Sequence, residues 1–220
     1  MQDDILGKRR DFLGLAAFAA AAGVGAALPA TQAEAAAEPS TDFTRWLDSI
    51  PGRHRQVYDM PEVNGGFGLA WSWVFLVTGA KGYGVPESDL GVVVILRHDA
   101  LPLAFKDDVW AKYKLGELLH IEDPDTKAPA VRNPYWAKPG ALPLPEAGLE
   151  KLIERGVKVG VCQMALTFRS GMVAKKLGVK HEDVMKEWTD AVYPGITIVP
   201  SGVLALNGAV SRGCVYVFAG

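Results

Sequence analysis

From residue 55 onward, apolar positions fall in short blocks that alternate between strand-like and helix-like periods. Residues 90–96 (LGVVVIL) form a continuous run rich in β-branched residues, the pattern of a strand buried on both faces. Shorter runs at 56–60, 157–161, 196–199 and 215–218 read as four more strands. Between them lie helical stretches. Residues 65–79 are apolar on nearly every side and too short to span a membrane, so they read as a buried helix. Its aromatic run Trp71, Trp73, Phe75 sits at helical spacing and reads as core rather than as a ligand wall. Residues 99–115 read as a helix with a break near Lys106-Asp107. Further helices are expected at 145–155 (stopped by Gly156), 164–177 (ended by Gly178), 181–192 and 203–212 (ended by Gly213). A short helix at 42–50 closes a linker that begins near residue 36.

One segment breaks the alternation. Residues 122–146 carry Pro124, Pro129, Pro134, Pro139, Pro143 and Pro145, a spacing that no regular element survives. A structureless stretch of that length within a domain suggests an interaction arm, with disorder as the alternative.

Strands separated by single helices imply β-α-β units. The expected fold is therefore a three-layer α/β sandwich around a five-stranded, mostly parallel sheet. In such sheets ligands sit off the carboxyl ends of the strands, and that rule sorts the candidate residues.

The first 35 residues follow a different grammar. Lys8-Arg9-Arg10-Asp11-Phe12-Leu13 precedes an uncharged, Ala-rich stretch, and Ala33-Glu34-Ala35 offers a cleavage site. The arginine pair with Phe-Leu reads as a twin-arginine export signal, which directs the mature chain to the periplasm and leaves no stable membrane span after cleavage. The run is too weakly hydrophobic for a permanent anchor.

Composition narrows the partners. The chain has 220 residues, 49% of them hydrophobic, with a net charge of -2. It shows no basic footprint for nucleic acid. Neither G-x-G-x-x-G, G-x-x-x-x-G-K-[ST] nor G-x-S-x-G occurs. The histidines (His54, His98, His120, His181) are scattered without metal-ligand spacing, so neither a metal nor a cofactor is expected.

Among the remaining candidates, Cys162 follows the strand at 157–161 and precedes a helix. A helix N-terminus there favours the thiolate, the nucleophilic form, whereas a buried cysteine would act only as a small apolar residue. Arg97-His98-Asp99 follows the strand at 90–96 and reaches the same edge. His98 could orient a thiolate or hold an anion; alternatively, Asp99 caps a helix and His98 satisfies a backbone group. Arg169 lies two helical turns beyond Cys162 on the same face. Ser201, after the strand at 196–199, would cap the last helix. Cys214 opens the last strand, a full strand length of roughly 15 Å from the edge that carries Cys162. A disulfide needs Cα atoms within about 7 Å, so no intrachain bond is expected.

With these residues placed, the second half resembles the DsrE-like family. The matching stretch is 149–220: a helix ending Glu154-Arg155-Gly156-Val157, then Val161-Cys162, the Arg169 helix with Gly171, Val199-Pro200-Ser201-Gly202-Val203, and Arg212-Gly213-Cys214-Val215-Tyr216-Val217. Residues 92–96 and 100–103 are similar to the family's second strand and following helix, more loosely. The resemblance implies a five-stranded parallel sandwich that assembles as a homo-oligomer, a trimer or hexamer. It also implies, for the sulfur-relay branch, a persulfide on the cysteine matching Cys162, loaded by a small-molecule or protein sulfur donor. His98 and Arg169 would then supply positive charge, and Arg97, Asp99 and Ser201 would line the ligand. The chain departs from that branch in its export signal, its Pro-rich insertion and Ser170, where glycine often follows the arginine.

Overall fold

The structure, a computed structural model, describes residues 41–138 and 140–220. The segment expected to be an export signal and most of the expected linker lie outside the described residues. Five strands, β1 (His54–Met60), β2 (Leu90–Leu96), β3 (Lys158–Cys162), β4 (Ile196–Val199) and β5 (Cys214–Phe218), form one sheet in the order β4-β3-β2-β1-β5. Every pairing is parallel, so the expected α/β sandwich is observed. The central strand β2 is buried at every position, as its unbroken apolar run requires.

Helices cover both faces. On one lie α2 (Phe67–Tyr83), α3 (Asp107–Lys112), α4 (Leu115–Leu119), α5 (Leu149–Glu154), α6 (Gln163–Leu177) and α7 (His181–Asp190), packed on Tyr58, Met60, Val94, Leu96, Val159 and Val161. On the other lie α1 (Thr41–Asp48) and α8 (Gly202–Val210), packed on Val57, Val93, Ile95 and Val199. Strands β1 to β3 feed the first face and β4 feeds the second. The switch point of the sheet, where connections part to opposite faces, therefore lies between β3 and β4, where Cys162 pairs in register with Val199.

Three expectations need correction. The helix expected at 99–115 does break near Lys106-Asp107, but its first part is a 3₁₀ segment, His98–Ala104, and its second divides into the short helices α3 and α4. Pro102 lies inside the first piece and removes a backbone donor, and Lys114 takes a left-handed φ of 50° between the other two. The helix expected to be buried, now α2, exposes Phe67, Trp71, Val74 and Val77, so Trp71 is surface and only Trp73 and Phe75 pack against the core. Finally, the described residues of the Pro-rich insertion hold no α-helix or strand, but they do not form a projecting arm. Ala130 and Tyr135 are buried in the main core. The Asn133 side chain donates to the carbonyls of Leu103 (2.8 Å) and Phe105 (3.0 Å). The carbonyls of Tyr135 and Trp136 accept the first N–H groups of α5, satisfying donors that a helix start leaves open. Within the loop, Asp123 receives the N–H groups of Asp125 and Thr126 and the guanidinium of Arg132, which holds its carboxyl down at about 2. Proline spacing excludes helices and strands, but it does not exclude burial.

Candidate functional site

The carboxyl edge of the sheet is assembled from the ends of β1, β2, β3 and β4. Cys162 is the last residue of β3 and the N-cap of α6, and its Sγ accepts the N–H of Ala165 at 3.3 Å. It is 6% exposed and forms no disulfide. Cys214 is also a free, buried thiol, at the opposite end of the sheet beside Arg55.

Arg97 leaves the end of β2 and turns back onto β1. Its Nε and Nη2 donate to the two oxygens of Asp59 at 2.6 and 2.8 Å. Asp59 is 2% exposed and also accepts the Tyr216 hydroxyl at 2.7 Å. The bidentate bond raises the pKa of Arg97 further, and Arg97 lies within electrostatic reach of the Cys162 sulfur. Gly202 makes room for this side chain: a Cβ there would meet Arg97 Cδ at 3.0 Å. Sequence reasoning missed both Asp59 and Tyr216. They are separated from each other by 157 residues, and only the β1–β5 pairing brings them together.

His98 sits in the left-handed region at φ 48°, a conformation that costs a non-glycine residue about 1 kcal/mol. The N–H groups of Asp99 and Ala100 both donate to the Pro61 carbonyl, which ties this loop to β1 and holds the strained position. Burial, followed by the charges of Arg97 and Arg169, depresses the His98 pKa below its ordinary value. His98 is therefore a neutral imidazole near pH 7, and the positive charge of this edge rests on the arginines.

Arg169 reaches from α6 and pairs with Asp99, so the Asp99 carboxylate holds an arginine rather than capping a helix. Ser201 caps α8 as expected: its Oγ accepts the Leu204 N–H at 3.1 Å. That bond occupies the hydroxyl in helix capping. Ser170, next to Arg169, is buried and lies 2.9 Å from His181 Nε2, fastening α6 to α7.

The six candidates thus divide into two groups. His98, Asp99 and Arg169 line one cavity of 220 Å3. Cys162 and Arg97 lie at the sheet edge outside that lining, with Ser201 across the switch point. Among the described residues, no three His, Cys, Asp or Glu side chains converge as a metal site. None of their helices is long and apolar enough to cross a membrane. No family model matches the chain, and no curated protein is significantly similar to it.

Proposed function

We propose that the chain is an exported, DsrE-like protein of the periplasm that binds or carries a small sulfur-containing or anionic species at Cys162. One observation carries this reading: Cys162 ends β3 at the switch point of a parallel sheet and caps a helix with its own sulfur. The Ala165 N–H donates to Sγ at the start of α6, and the Arg97 guanidinium lies nearby, so the sulfur faces hydrogen-bond donors at the ligand edge of the sheet. In a carrier, the Cys162 thiolate attacks the outer sulfur of a persulfide donor. The donor's S–S bond breaks, its thiolate leaves with the electron pair, and Cys162 keeps the transferred sulfur.

Mass spectrometry of the full chain after treatment with a sulfane-sulfur donor tests the proposal. The expected result is a gain of one sulfur atom on Cys162 and none in Cys162→Ser. Equal labelling of the two proteins, or none in either, rejects the carrier.

A second reading, a non-catalytic assembly subunit, is favoured by apolar side chains left open to solvent. Phe67, Trp71, Val74 and Val77 make a stripe along α2, and the edge strand β5 exposes Val215 and Phe218. Both readings take the chain as a homo-oligomer, with a trimer or hexamer as the proposed state. The insertion packs onto its own domain, so the assembly reading rests on these surfaces and not on an arm. Native mass that stays monomeric at micromolar concentration removes it.

A further inference from the structure

The 220 Å3 cavity beside the sheet edge has walls unlike its mouth. Leu101, Pro102, Leu119, Val173 and Trp188 make the walls, and they come from the 3₁₀ segment, α4, α6 and α7. Trp188 is held from behind by Phe105 and Tyr113, with ring centroids at 5.2 and 5.6 Å, so this wall is rigid. At the mouth stand Leu118 and Met172, both partly open to solvent, with the charged groups of Asp99, Arg169 and Lys176.

Charge and volume together select the occupant. Arg169 is matched by Asp99, whereas Lys176 has no ion-pair partner among the described residues, which leaves the mouth with one uncompensated positive charge. His98 adds no charge near pH 7, because burial and two guanidiniums keep it neutral. An apolar cavity of ~150 Å3 holds benzene, so this one has room for about nine non-hydrogen atoms.

We propose that this cavity binds a small organic monoanion, with its apolar body between Leu101, Val173 and Trp188 and its carboxylate at Arg169 and Lys176. The site makes no use of the Cys162 sulfur, so it stands or falls separately from sulfur carriage. It would give the protein an effector or a second substrate beside the thiol edge.

Titration calorimetry of the full chain with phenylacetate, and with phenylacetamide as its neutral isostere, provides the test. Phenylacetate should bind with a dissociation constant on the order of 0.1 mM, and the amide about tenfold more weakly. Lys176→Ala should weaken the acid by about threefold, the size of an exposed ion pair, and leave the amide unchanged. Val173→Trp, which fills the cavity, should abolish both; Met172→Trp should do the same from the mouth if the first variant unfolds. Cys162→Ser should bind phenylacetate like the parent protein. Equal affinity for acid and amide, or no binding of either by folded protein, overturns the proposal. Retention of binding in a folded Val173→Trp or Met172→Trp overturns it as well.

Discussion

The two ends of the parallel sheet are built from the same two residue types and use them differently. Each end carries one buried free cysteine and one arginine: Cys162 and Arg97 at the carboxyl end, Cys214 and Arg55 at the amino end. Arg97 is spent on a carboxylate, Asp59. Arg55 meets backbone carbonyls instead, with Nε 3.1 and 2.7 Å from those of Pro51 and Gly52 and Nη1 2.8 Å from that of Arg212. The cysteines differ in the same way. Cys162 receives a helix N–H, while Cys214 follows the left-handed turn at Gly213, and burial raises its pKa despite the pull of Arg55. Solvent exposure, 6% against 4%, does not distinguish them. The direction of the strand does: a parallel strand leads into a helix start at one end and receives a turn at the other, so only one end offers free N–H groups.

Five variants test that contrast, in order of expected size. Asp59→Ala leaves the Arg97 charge half-buried without its partner and should cost about 3–5 kcal/mol in denaturant unfolding. A loss below about 1 kcal/mol would mean the carboxyl end is not held by this pair. Arg55→Met strips three carbonyls of their donor and should cost about 2 kcal/mol. A cost matching that of Asp59→Ala would erase the distinction between the ends. Serine at each cysteine should separate them by size. Cys214→Ser buries a hydroxyl among apolar neighbours and should lose about 1–2 kcal/mol. Cys162→Ser puts a preferred N-cap residue on α6 and should change stability by less than about 0.5 kcal/mol. The smallest effect belongs to His98. Its folded pKa lies below the unfolded value near 6.5, so the native state binds fewer protons and stability falls as pH drops below about 6.5. His98→Asn, which tolerates the left-handed backbone, should remove this slope, which solvent screening of the exposed ring keeps small. An unchanged pH profile in thermal unfolding would show that His98 is not the group responsible.

Much of the fold was legible because strand signals here are strong. The run at β2 and its four shorter partners came through with errors of one or two residues at their ends, and Gly178 and Gly213 marked turns that do adopt positive φ. What failed depends on surroundings rather than on local pattern. Pro102 and Lys114 break a helix that hydrophobic spacing alone continues. Trp71 has the same local pattern as Trp73, yet only a knowledge of what packs on α2 tells the exposed one from the covered one. The site was half legible. Position after a strand identified Cys162, Arg97, His98 and Asp99, and helical spacing found Arg169. Asp59 was hidden because an acidic residue near a strand end carries no local signal, and its partners arrive from β2 and β5. Ser201 was read correctly as a cap.

The pairing of β5 with β1 has a consequence for biosynthesis. β1 is the first and β5 the fifth of these strands in chain order, so one side of β1 stays open until β5 is made. Contacts of such long sequence separation form slowly, and a nascent chain lacking them presents an unpaired edge. Asp59 likewise waits for Tyr216 to complete its hydrogen bonds. Any cellular step that accepts only the finished fold would therefore, in this protein, be sensing whether β5 has been synthesised and paired.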